Sequence, residues 1–163
     1  MFEKLQMEVL KKAAKLDSSN NPVSRPGSKF PYRYGYTDSG DLAIFTAYYA
    51  CIIPKPLIYI NVESVFYNIT PAESKFIMRI TNDEETKPAV LTSDLHKSGD
   101  ILTNVFEVDG GERVYVDTKL LKPFNDLKIP LTFRGSSSKS PIFIYDEGGF
   151  EKLGLVLPVW IRN

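Results

Sequence analysis

The sequence predicts an α+β fold in which two short helices pack on antiparallel sheet. Three observations predict it. Apolar residues recur at helical spacing in only two places, residues 2–16 and 117–127. Elsewhere, runs rich in aromatic and β-branched residues alternate with turn residues, the texture of strands. No helical segment recurs between those runs, so the regular crossovers of a parallel sheet are missing. With 163 residues the chain suits one domain, taken as 1–163.

The elements follow in order. Phe2, Leu5, Val9, Ala13 and Leu16 fall on one helical stripe, with Lys4, Lys11, Lys12 and Lys15 largely opposite. "DSSNNP" stops that helix, and residues 17–31 read as a loop. "YRYGY", "DLAIFTAYYACII" and "LIYINVESVFYNIT" read as strands, with a turn at "TDSGD" and a break at Pro54 and Pro56. "SKFIMRIT", "PAVLTSD", "ILTNVFEVD" and "ERVYVD" continue as strands. "VDGGER" is a hairpin signal, because two glycines accept the positive φ of a tight turn. Leu120, Leu121, Phe124 and Leu127 then mark a second helix, capped by Asp117 or Thr118 and shortened or kinked by Pro123. "KIPLTFRG", "SPIFIYDE" and "KLGLVLPVWI" read as three final strands.

Composition and motifs exclude more than they assign. Twenty basic and twenty acidic residues cancel, so net charge does not select a nucleic-acid partner. The one cysteine, Cys51, is flanked by apolar residues in "YYACIIP" and reads as a buried thiol. The one histidine, His96, reads as a surface-loop residue with no second ligand beside it, so no metal or other cofactor is expected. Phosphate-binding, nucleophile-elbow and zinc-protease motifs are absent. The carboxylates of "NDEE" (82–85) and "YDE" (145–147) read as solvated turn residues, and "GSSSKS" (135–140) as a hairpin loop. The chain is therefore expected not to be an enzyme. No apolar run approaches the roughly 18 residues that cross a membrane, and the start has no signal-peptide core. No membrane partner and a cytoplasmic location are expected.

The lysines admit two readings. Lys119, Lys122 and Lys128 accompany the second helix as the other four accompany the first. Basic helix faces can follow a phosphate backbone, and exposed helices also carry lysine merely for solubility.

The order "VYVDTKLLKPFNDLK", "IPLTFRGSSSKSPIFIY", "KLGLVLPVWI" resembles the last domain of the bacterial DNA sliding clamp, the β subunit of the replicative polymerase. The resemblance covers residues 62–163, with 17–61 standing as an insertion or rebuilt edge. It implies a DNA-clamp-like fold and non-specific contact with duplex DNA through Lys4, Lys11, Lys12, Lys15, Lys119 and Lys122. It also implies a peptide pocket for polymerase or other replication proteins, bordered by Leu155, Leu157, Pro158 and Val159. Ordinary core packing of a last strand is the other reading of those four. Clamp subunits carry three such domains and this chain has room for one, so ring formation would need a homo-oligomer. Trp160 stands where the family has a basic residue. The alternative expectation is a protein-interaction module of a phage or mobile element, motivated by the aromatic segment from Tyr32 to Tyr67.

Overall fold

A computed structural model describes residues 1–13, 32–65 and 69–161. The fold is α+β, and the chain divides into two compact units, Met1–Asn82 and Asp83–Asn163.

In the first unit, α1 (Phe2–Ala13) buries Phe2, Leu5, Val9 and Ala13 of the expected stripe, and Leu10 beside them; Leu16 lies outside the described residues. Residues 14–16, with Lys15, and the predicted loop 17–31 lie outside the described residues. Gln6 shares the buried face, and its Nε2 donates to the Leu57 carbonyl at 2.8 Å. β1 (Arg33–Tyr36), β2 (Leu42–Phe45) and β3 (Tyr49–Ile53) form an antiparallel meander. The two-residue β4 (Thr70–Pro71) joins β1 in parallel. α1 lies against β3, which is buried along its whole length.

Two predicted strands of this unit hold helices instead. In "LIYINVESVFYNIT" a 3-10 turn ends at Leu57 and α2 spans Val62–Val65, while residues 66–68 lie outside the described residues and Thr70 opens β4. Asn61 decides it. Its Oδ1 accepts from the N–H groups of Glu63 and Ser64 at 3.1 and 3.3 Å, a helix-starting cap that outweighs β propensity. "SKFIMRIT" is α3 (Ser74–Thr81). Ile77 and Thr81, four apart, are its buried residues, and the Thr81 hydroxyl donates to the Ile77 carbonyl at 2.8 Å. α3 sits against β1 because Gly35 has no side chain: a Cβ there would lie 2.0 Å from Ile77 Cδ1.

The second unit is an antiparallel set in the order β10-β9-β8-β5-β6-β7. β5 (Lys87–Ser98) is long and serves two neighbours. Residues 87–89 pair with β8 (Leu131–Gly135), and residues 90–98 pair with β6 (Ile101–Glu107), with an irregularity between Leu91 and Leu95. His96, expected in a loop, is therefore a half-buried strand residue opposite Thr103. The hairpin from β6 to β7 (Arg113–Asp117) turns through Gly110 and Gly111, each at φ 80°, as two glycines predict.

α4 (Thr118–Asn125) is capped by Asp117, whose carboxylate accepts from Lys119 N–H at 2.9 Å. It buries Leu121 and Phe124 and keeps Pro123 within its last turns. The helix packs on β6, β7 and β10. β9 (Ile142–Asp146) and β10 (Lys152–Val156) complete the meander.

The last apolar run is not one strand. β10 ends at Val156, and Pro158, lacking an N–H, cannot extend its ladder. Val159 then bridges to Tyr115, donating its N–H to the Tyr115 carbonyl at 2.7 Å. The chain thus leaves the strand at one end of the unit's order and clasps β7, the strand at the other end.

Candidate functional site

The clasp builds a cleft. Arg113 and Tyr115 sit two apart on β7 and project to one face. Ser138 and Lys139 come from the loop joining β8 to β9, and Val159, Trp160 and Ile161 from the segment pinned by the bridge. Together they line a space of about 380 Å³. Three separate stretches of sequence meet there.

Each wall has a cause. Tyr115 packs against His96, their rings 5.1 Å apart and inclined by 60°. Arg113 reaches Asp94 at 3.4 Å and Glu107 at 3.8 Å, and about half its side chain stays exposed. The serine-rich loop is tied down twice: the Ser137 and Ser140 hydroxyls lie 2.8 Å apart, and Ser138 N–H donates to the Glu112 carboxylate at 3.0 Å. That bond to Ser138 holds the Glu112 carboxyl below its ordinary range. Trp160 is 70 % exposed, and the Lys139 ammonium lies over its ring, 5.7 Å from the centroid. The lining holds two cations, two aromatic rings and two aliphatic side chains, and no carboxylate.

The residues expected at a peptide pocket separate. Leu155 is 3 % exposed and belongs to the core; Leu157 and Pro158 are half-buried and do not line the cleft; Val159 does. Of the lysines, Lys4, Lys11 and Lys12 lie on α1 in the first unit, while Lys119 and Lys122 lie on α4 in the second. Lys11 and Lys119 are exposed, Lys12 is half-buried, and Lys122 pairs with Asp126 at 2.7 Å. The tyrosines of the first unit divide as well. Tyr32, Tyr34 and Tyr49 are buried, with the Tyr32 and Tyr49 hydroxyls 2.8 Å apart, whereas Tyr36, Tyr48 and Tyr59 are exposed; Tyr67 lies outside the described residues.

One carboxylate of each acidic turn has a structural partner, and the thiol is buried. Asp83 of "NDEE" holds Lys152 at 3.0 Å. Asp146 of "YDE" accepts from two backbone N–H groups of the following turn. Burial pushes the Cys51 thiol up to about 12. Among the described residues no group of three or more His, Cys, Asp or Glu could hold a metal ion, and no helix is long and apolar enough to cross a membrane.

Sequence reasoning reached the cleft only through Val159 and the oddness of Trp160. Arg113 and Tyr115 carried a signal in their i, i+2 spacing on a strand, and Lys139 carried none. Comparison with family models, with curated proteins and with solved structures returns no match for this chain.

Proposed function

We propose that the chain is a non-catalytic binding module whose cleft takes a short acidic segment of a partner protein bearing an aromatic or large apolar side chain. One observation supports this reading above the rest: a largely exposed tryptophan, capped by a lysine, stands in a cleft with Tyr115 and Arg113. Trp, Tyr and Arg are the residues that dominate interface energies when a partner desolvates them. An apolar side chain between the rings would bury the indole, and a carboxylate beside it would meet Lys139 at the rim. The peptide-capture role expected for the last segment is kept in this reading, with Val159 retained and Trp160, Tyr115, Arg113 and Lys139 in place of Leu155, Leu157 and Pro158.

The test is fluorescence anisotropy with a labelled nonapeptide that places phenylalanine between glutamates. Micromolar binding is expected, weakened about tenfold or more by Lys139→Glu and by Trp160→Ala, and unchanged by Lys119→Glu. Equal binding by all four proteins would sink the reading.

A second reading rests on the exposed Lys11 and Lys119: a clamp-like protein of DNA replication whose helices touch duplex DNA without reading sequence. Its test is duplex binding against salt. If n phosphates are contacted, log K falls with log salt at a slope of about −0.9n, and flat or absent binding removes the reading.

A further inference from the structure

We infer that the segment filling the cleft can come from a second copy of this chain: the turn carrying Phe150. This rests on the binding reading above and names its occupant.

The turn between β9 and β10 presents a phenylalanine to solvent by construction. Phe150 is 87 % exposed. The Asp146 carboxylate accepts from Phe150 N–H at 3.0 Å and from Glu151 N–H at 3.2 Å, while its carbonyl accepts from Gly149 N–H at 3.0 Å. Gly149 takes φ 70°, which favours glycine, and Gly148 leaves room for the ring: a Cβ there would sit 2.5 Å from Phe150 Cδ2. The ring is thus pre-placed on a short, tied turn, and little conformational freedom is left to lose on docking. Glu147 and Glu151 flank it, both exposed.

The turn and the cleft complement each other. The turn offers one aromatic ring between carboxylates; the cleft offers Tyr115, Val159 and Trp160 around a space of about 380 Å³, with Lys139 over Trp160 as the cation that meets them, Arg113 being held already by Asp94 and Glu107. They lie at opposite ends of β9, because the Ser138–Lys139 loop precedes that strand and the Phe150 turn follows it. Five strand residues at about 3.3 Å each separate them by roughly 16 Å, so a copy cannot fill its own cleft. The contact is head-to-tail, one copy's turn in the next copy's cleft, and such contacts build rings or open chains.

The experiment is sedimentation of the full chain and of two surface variants. The native protein is expected to gain mass with concentration, over roughly 1 µM to 1 mM. Phe150→Ala keeps a cleft without its turn, and Trp160→Ala keeps a turn without its cleft, so each alone stays monomeric. Mixed in equal amounts they form pairs that cannot extend, and mass stops at two copies. Glu151→Lys is a second test that leaves both rings in place: association falls, and is recovered by mixing with Lys139→Glu. A native chain that stays monomeric over the whole range, a mixture that stays monomeric, or a Phe150→Ala chain that assembles like the native one overturns the inference. If the native chain stays monomeric while the glutamate-flanked nonapeptide still binds, only self-docking falls; if the peptide fails too, the cleft reading falls with it.

Discussion

Leu155 and Trp160 lie five residues apart and do opposite things. Leu155 is sealed in the core, so Leu155→Ala is expected to cost about 2–5 kcal/mol of stability, read by denaturant unfolding. Trp160 is mostly in water, so Trp160→Ala should change stability by no more than about 0.5 kcal/mol while weakening peptide binding about tenfold or more. The reverse pattern would return the pocket to Leu155 and its neighbours. Cys51 is a third residue with a defined outcome. Burial raises its thiol to about 12, so the folded chain should not react with a thiol reagent near pH 8, and the unfolded chain should. Glu112 titrates in the opposite sense. Its folded carboxyl lies below the ordinary value, so its bond to the Ser138 loop is present above that ordinary value and is lost as pH falls through the folded one. Emission from Trp160 should hold steady from pH 7 to about 5 and shift below about pH 4 as Lys139 loosens with its loop. The buried Cys51 was legible from "YYACIIP"; the partners of Trp160 were not, because a side chain's neighbours across a sheet depend on register set by distant residues.

Helices α1 and α4 and the glycine hairpin were readable because each carries its own local signal: an apolar stripe, an Asp117 cap, two adjacent glycines. α3 was not. In "SKFIMRIT" the apolar residues satisfy a period of two nearly as well as 3.6, and what selects the helix is the slot that Gly35 opens for Ile77. Gly35→Ala should therefore cost about 1–3 kcal/mol by overpacking, without touching the cleft in the other unit; a neutral result would mean that Ile77 does not anchor α3 there. Asp117→Ala should cost about 1 kcal/mol through loss of the α4 cap, checked by thermal unfolding. The last run, read as one strand to Ile161, breaks after Val156 because the rest of it has a separate partner in β7.

For the chain as a whole, α+β with mainly antiparallel strands was legible from texture alone, and the two compact units were not, since pairings between distant residues define them. The cleft is assembled from residues 113–115, 138–139 and 159–161, brought together only when the last segment crosses to β7. No local pattern announces such a meeting. The same assembly leaves the chain's single tryptophan in the cleft and so supplies its own reporter. The most direct measurement is Trp160 emission during addition of a glutamate-flanked phenylalanine peptide. A saturable change of emission at micromolar peptide, weakened about tenfold or more by Lys139→Glu, is the predicted result; emission unchanged up to about 1 mM peptide would contradict the cleft as a binding site.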